Sequence, residues 1–327
     1  VYILLDAYGS QELNKTSLSR MIRAGIQIKK YAPLRKSFKF QMGLRLHHKI
    51  IIIDREWASC GGINLADHYF DLPANKTWLD FALAVQGEIV KDLLQVAARY
   101  WKNLPAYQRH QTPKIETETR VKVMENNWFR SRLAISNYYK KNIRQSKKEI
   151  IIIAGYFLPG PVLKRALKKA VARGVDVKII LGGSSDIGLM KNAIRFFYPD
   201  LLKAGVQLYE WTPSVLHAKV GLFDGEYLTI GSYNLISLSD YGSIECNLAV
   251  ESKLVTHQCK AIIHQIIEEG CKPIIKEDFE KSQGIFSRWI NRMSYYILAI
   301  GLKFIFMLQN PVSNDEEDLV ELERPNS

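Results

Sequence analysis

HHKIIIID, His47 to Asp54, and HAKVGLFD, His217 to Asp224, are two writings of one phrase: a histidine, a lysine two residues on, an apolar run and an aspartate. On an extended chain alternate side chains share a face, so His47 and Lys49 point one way and His48 the other. The second copy has Ala218 where the first has His48, and a group needed by both half-sites would not be alanine in one of them. His47 and His217 are therefore the paired functional histidines, with His48 packed on the opposite face. The isoleucine run is expected to be a buried strand whose histidine end emerges into a cleft.

The repetition extends outward from this phrase in both directions. AGIQIKKYAP (Ala24 to Pro33) matches AGVQLYEWTP (Ala204 to Pro213), and VYILL at residue 1 matches VKIIL at Val177. GGIN (Gly61 to Asn64) matches GSYN (Gly231 to Asn234), and WLDFALAV (Trp78 to Val85) matches SIECNLAV (Ser243 to Val250), pairing Asp80 with Glu245. Each copy reads as strand, helix ending in Ala-Gly, edge strand, histidine strand, glycine turn and a further apolar strand. The fold class is α/β, duplicated.

The second copy carries more than the first. A helix near Arg130 to Lys147, a strand from Glu149 to Ala154, GYFLPG and a basic helix near Pro161 to Arg173 precede its matching region. The first copy would need about 55 further residues to hold the same elements, so the sequence reads as entered mid-domain, with VYILL a buried strand. Lys102 to Arg120, polar and with two prolines, is the natural linker. The expected units are thus 1–101, an incomplete first domain; 102–120; 121–276, the second domain; 277–310, apolar and basic; and 311–327, an acidic solvated tail.

The chain has 327 residues, 47% of them apolar, enough for two domains with real cores. Its net charge of +12 points to polyanionic partners: nucleic acid, an anionic membrane surface or phosphate-bearing substrates. Cys60, Cys246, Cys259 and Cys271 show neither metal-ligand nor disulfide spacing and read as reduced thiols. Phe286 to Gln309 has only Arg288, Arg292 and Lys303 as charges, yet its uncharged core is shorter than the ~20 residues of a membrane span. With Trp289, Tyr295 and Tyr296 beside two arginines it reads as an interfacial anchor, the alternative being a helix pair that caps the domain.

Two histidines, two lysines and two asparagines, without clustered carboxylates for a metal, suit metal-free attack on a phosphodiester. One imidazole attacks phosphorus and the other, protonated, serves the leaving alkoxide. Lys49, Lys219, Asn64 and Asn234 supply donors to the nonbridging oxygens. Asp80 and Glu245 are candidates for holding the histidine tautomers. Asp54 and Asp224 lie an odd number of residues past the lysines, turned from the histidine face. They are expected to cap the following turn and pair with a basic group, a supporting role.

With H-x-K-x4-D intact twice, each followed by G-[SG]-x-N, the sequence resembles the phospholipase D superfamily from its start to about Lys276. GGIN, WLDFALAVQGEIV and YFLPG before the basic helix look most like bacterial cardiolipin synthases of the B type. The resemblance implies two similar α/β/α sandwich domains about a pseudo-twofold axis, with His47, Lys49 and Asn64 facing His217, Lys219 and Asn234 across one cleft. It implies His47 as nucleophile and His217 as general acid, the reverse remaining open by symmetry, and no cofactor. The implied reaction is phosphatidyl transfer to phosphatidylglycerol from phosphatidylglycerol or phosphatidylethanolamine, at the cytoplasmic face of a bacterial cell membrane. A phospholipase or nuclease of the same superfamily would share every such residue, but a nuclease would not need Phe286 to Gln309. A noncatalytic membrane-binding relative is the remaining alternative, and the intact hexad argues against it. LRKSFKFQMG, the ten residues after Pro33 with no counterpart after Pro213, is equally readable as a headgroup-holding loop or a solvated hairpin.

Overall fold

EIIIIA, Glu149–Ala154, is buried from Ile150 onward, and a run so rich in β-branched residues requires neighbours on both faces and both edges. In the computed structural model it lies parallel to Asp176–Gly182 on one edge and antiparallel to Lys219–Phe223 on the other. The sheet continues through Gln207–Trp211 and Cys271–Pro273 on the first side. On the second it continues through Tyr227–Gly231, Ser243–Glu251, Arg120–Asn127 and Arg132–Leu133. The structure describes residues 1–32, 45–71, 76–101, 104, 119–127, 132–236, 242–308 and 319–321.

Helices cover both faces of this sheet, as alternation along each strand demands. Ile150, Ile152, Val177 and Ile179 point into one layer with Ala134–Gln145, Pro161–Ala172, Gly188–Arg195 and Tyr198–Lys203. Ile151, Ile153 and Ile180 point into the other, against Cys259 and Ile263 of Lys253–Gly270. Local signals set the ends: Pro161 opens its helix at N1, and the Ser252 side chain accepts from Val255 N–H to cap the last. The second copy is thus the expected α/β/α sandwich.

The first copy has the same parts in two pieces. Tyr2–Asp6 runs parallel to Gln27–Tyr31, with the Asn14-capped helix Lys15–Arg23 between them. Ile50–Ile53, Trp57–Gly61 and Ala82–Gln86 form a separate antiparallel sheet backed by the helix Ile89–Trp101. Among the described residues no strand bridges the two pieces as Glu149–Ala154 does in the second copy.

That difference corrects two expectations. VYILL is not buried, for Val1 is 81% exposed and Tyr2 is also open. Of the isoleucine run only Ile50 and Ile52 pack inward, while Ile51 and Ile53 are 50% and 56% exposed. Four isoleucines in a row fit a strand covered on both faces, and here only one face is covered. The acidic end is not wholly a solvated tail either, since Leu319–Glu321 pairs antiparallel with Gln27–Tyr31. Most of 102–120 and the whole of LRKSFKFQMG lie outside the described residues.

The two copies are sewn together at the histidines. Arg45–Leu46, just before His47, pairs in parallel with Ser243–Ile244; Leu79, just before Asp80, bridges in parallel to Leu216. Ala58, Cys60 and Val85 of the first copy share a core with Ile244, Cys246 and Leu248 of the second. Ile285–Leu308 is one helix that lays Tyr295 flat on Phe196, at a 4.8 Å centroid separation, and none of the described helices is long and apolar enough to cross a membrane.

Candidate active site

Both motif histidines stand in short irregular links immediately before their strands, which begin at Ile50 and Lys219. Each link is fixed by the other copy: His47 N–H donates to the Ile244 carbonyl at 3.0 Å, and His217 N–H to the Leu79 carbonyl at 2.8 Å. The next residue in each case is the candidate orienting acid. His47 Nδ1 lies 2.9 Å from Glu245 Oε2, and His217 Nδ1 lies 2.7 Å from Asp80 Oδ2. Each copy therefore holds the other copy's histidine, a crossing that the repeat alone does not reveal.

With Nδ1 engaged by a carboxylate, the Nε2 of each imidazole is the nitrogen free to react. Lys49 Nζ donates to the His47 carbonyl at 2.9 Å, and Lys219 Nζ makes the matching bond to the His217 carbonyl. Glycine and serine at equivalent places fit the two acids. A Cβ on Gly62 would lie 2.3 Å from Asp80 Oδ1, whereas Ser232 and Ser243 donate to the longer Glu245.

Burial dominates the electrostatics. It pushes His47 below the ordinary histidine value despite Glu245, and with Lys219, Lys49 and His47 nearby it pushes His217 well below. Both imidazoles are neutral at pH 7 without a ligand. Burial also lowers Lys49 to about 8 and Lys219 to about 7, and raises Asp80 to about 6. Glu245 is lowered: burial opposes its charge, but the charge and hydrogen bond of His47, with Lys49 and Ser232, win. The cluster sets two buried lysines beside two neutral imidazoles, each imidazole on its own carboxylate, and a phosphodiester anion would favour the charged form of both lysines.

Of the remaining expected residues, Asn64 Nδ2 donates to the Tyr69 hydroxyl at 3.3 Å, and the side-chain oxygen of buried Asn234 has no hydrogen bond among the described residues. His48 stacks edge-on against Tyr100, on the face away from His47, and burial lowers it to about 4. Asp224 stands at the far end of its strand and accepts from the N–H groups of Lys147, Lys148 and Glu149, backbone amides rather than a basic side chain. Asp54 is exposed, in a left-handed turn with φ 48° like Asp224 at 54°, and neither aspartate joins the histidines.

The structure adds residues around His217. The Tyr69 hydroxyl is 2.8 Å from His217 Nδ1, Trp78 and Tyr156 present ring faces or edges to the same imidazole, and His68 stacks on Trp78. Tyr156 donates to Asp186 at 2.7 Å. The His217 side chain is 9% exposed and that of His47 31%. A signal for Tyr69 and Trp78 existed: sixteen residues separate Asn64 from Asp80 but eleven separate Asn234 from Glu245. The extra length carries Tyr69, while Trp78 stands where the second copy has Ser243.

Residues 1–101 and 139–267 match the family model described as cardiolipin synthase, PLD-like domain. The chain is 32% identical over 284 residues to cardiolipin synthase B of Salmonella typhi, an alignment covering 83% of this chain and 68% of that protein. It is 30% identical over 284 residues to cardiolipin synthase B of Escherichia coli strain K12, with the same coverage. Its fold is that of the phosphatidylserine synthase of Haemophilus influenzae, at TM-score 0.69 and 13% identity over 94% of this chain and 83% of that one. The repeated motif, the crossed half-sites and these likenesses agree: the chain belongs to the phospholipase D-like cardiolipin synthases, a family of phosphatidyltransferases.

Proposed function

We propose that the chain forms cardiolipin by a two-step transfer through a phosphohistidine, without a metal ion. The observation that carries this reading is the crossed pair of Nδ1–carboxylate contacts, which leaves two Nε2 atoms for one phosphorus. His47, the more open imidazole, attacks the phosphorus of a phosphatidylglycerol or phosphatidylethanolamine donor. The bond from phosphorus to the headgroup oxygen breaks, and His217 protonates the departing alkoxide. A headgroup hydroxyl of phosphatidylglycerol then attacks the phosphohistidine and passes its proton to His217, so cardiolipin leaves and both imidazoles are restored.

The electrostatics give each step a cause. A phosphodiester anion beside Lys49 and Lys219 favours their charged forms and, set against the burial and the nearby lysines that keep His217 neutral, favours its protonation from solvent once substrate is bound. Lys49, Lys219, Asn64 and Asn234 take the nonbridging oxygens. Glu245 and Asp80 orient His47 and His217, and Tyr69 adds a second hold on His217. Asp54 and Asp224 shape the turns that end the two strands. Residues 1–101 and 121–276 supply the half-sites, joined through 102–120.

The substrates reside in a bilayer, and 277–310 suits that place. Ile285, Phe286, Trp289, Tyr296, Ile297 and Ile300 are exposed along one side of the helix, with Arg292 over the Tyr296 ring. Such a face lies in the interface, apolar side toward the acyl chains, on the cytoplasmic leaflet where anionic lipid attracts a basic protein. Liposomes of labelled phosphatidylglycerol, with and without phosphatidylethanolamine and with chelator present, test the reading. Cardiolipin is expected; phosphatidic acid alone would replace transfer by hydrolysis, and loss of turnover with chelator would end the metal-free scheme.

A further inference from the structure

The helix Pro161–Ala172 runs along the surface between two shallow grooves that no part of the transfer chemistry uses. One, about 600 Å³, is lined by Lys164, Arg165, Lys168 and Lys169; its neighbour, about 200 Å³, by Arg144, Arg165, Lys169 and Arg173. Six cations thus face a single carboxylate, Asp200, which is bonded to Lys164 at 3.0 Å and Lys168 at 2.7 Å. Arg173 spends its guanidinium on the Ile143 and Ser146 carbonyls. Arg144, Arg165 and Lys169 are exposed and have no carboxylate partner among the described residues. A groove with cations at its rim and methylene and alanine surface at its floor fits phosphate oxygens above and glycerol carbons below.

The position of these grooves selects the occupant. Pro161–Ala172 and Ile285–Leu308 share one helical layer, on the same face of the sheet and over the same core. They are linked by a short chain of contacts: Lys164 Nζ lies 5.8 Å from the Phe197 ring, which meets Tyr295 edge-on at 5.2 Å. Tyr295 is on the inner side of the helix whose outer side presents Trp289 and Ile300. An apolar helix face and a cationic groove in one layer match the two chemistries of an anionic bilayer, acyl chains and headgroup phosphates.

We propose that the grooves flanking Pro161–Ala172 bind the phosphates of anionic phospholipids, a docking surface separate from the active site that seats the protein on its substrate bilayer. The choice of lipid rests on the phosphatidyl-transfer reading, and binding is therefore measured apart from turnover. The full chain carrying His217→Ala is floated with phosphatidylcholine vesicles and with vesicles containing phosphatidylglycerol, at low and high salt. Arg144→Gln/Arg165→Gln/Lys169→Gln is compared with an equal charge change on the first-copy helix, Lys15→Gln/Arg20→Gln/Arg23→Gln.

The groove variant is expected to bind phosphatidylglycerol vesicles on the order of a hundredfold more weakly at low salt, with binding to phosphatidylcholine unchanged. The control should lose a few-fold at most, and the difference should shrink as salt screens it. Equal losses in both variants would reduce the effect to net charge and overturn the proposal. So would unchanged vesicle binding with a matching loss of affinity for duplex DNA, which would assign the grooves to nucleic acid. If the chain with His217 intact turned over no lipid while the vesicle binding held, the chemistry would be refuted and the docking surface would stand.

Discussion

Lys219–Phe223 and Ile50–Ile53 are the same strand in two copies, and they differ most in what lies beside them. The former is paired on both edges and buried along its whole length; the latter has one partner among the described residues and shows alternate isoleucines to solvent. Yet the histidine before each strand is held in the same way, by a backbone bond and a carboxylate from the opposite copy. Site geometry here is set by the seam between copies, and the sheets behind it can differ widely.

The sharpest way to break the equivalence of the halves is to ask which histidine attacks. With a phosphatidyl ester of a good leaving group, which needs no proton, His217→Ala should keep a burst of released alcohol and stop at the covalent stage. His47→Ala should show no burst and lose at least about 10⁴-fold in turnover. A burst in His47→Ala instead would reverse the assignment. His48→Ala, altering the opposite face, should keep most activity once folding is confirmed by circular dichroism.

The crossing itself predicts the next largest effect. Glu245→Gln should slow phosphohistidine formation by about 10²–10⁴-fold through loss of the His47 tautomer hold. Asp80→Asn should act on the other histidine and be partly rescued by a good leaving group. If each acid instead behaved as a partner of the histidine in its own copy, the crossed arrangement would be wrong.

The unequal strands can be tested by stability. Ile152→Ala, in the strand at the centre of the large sheet, should cost about 2–5 kcal/mol in denaturant unfolding. Ile51→Ala, half exposed, should cost under about 1 kcal/mol. Comparable losses would mean that Ile51 is covered in solution.

The smallest predicted effect is on pH. As pH falls through about 6, Asp80 takes a proton and the anion holding His217 is lost; as it rises through about 7 to 8, Lys219 and then Lys49 lose theirs. A plot of kcat/KM should therefore be a narrow bell between these limits. Bound phosphate favours charged lysine, so the alkaline limb of kcat should lie higher. An identical alkaline limb in Lys219→Arg would remove that lysine from the account.

Much of this was legible in the residues. Ala218 at the place of His48 singled out His47 and His217, the two that the structure sets on carboxylates, and matched offsets singled out Asp80 and Glu245, the carboxylates themselves. The crossing was not legible, because internal alignment pairs equivalent positions and is silent on which equivalents touch. Neither was the exposure of Ile51 and Ile53, since four isoleucines report the preference of a strand and not the presence of a covering layer. Tyr69 was missed because it has no counterpart in the second copy, and Trp78 because its counterpart, Ser243, is not aromatic; a search for repeats discards what is not repeated.

His47 and Glu245 stand 198 residues apart in the chain. A ribosome that has delivered the first half has made an imidazole without its anion, free to tumble between tautomers and surrounded by none of its finished cavity. On the proposed mechanism, reactivity toward phosphodiesters would appear only when Ser243–Glu251 arrives and closes the seam. Under the proposed chemistry the crossing would act as an interlock that keeps a half-made chain from reacting.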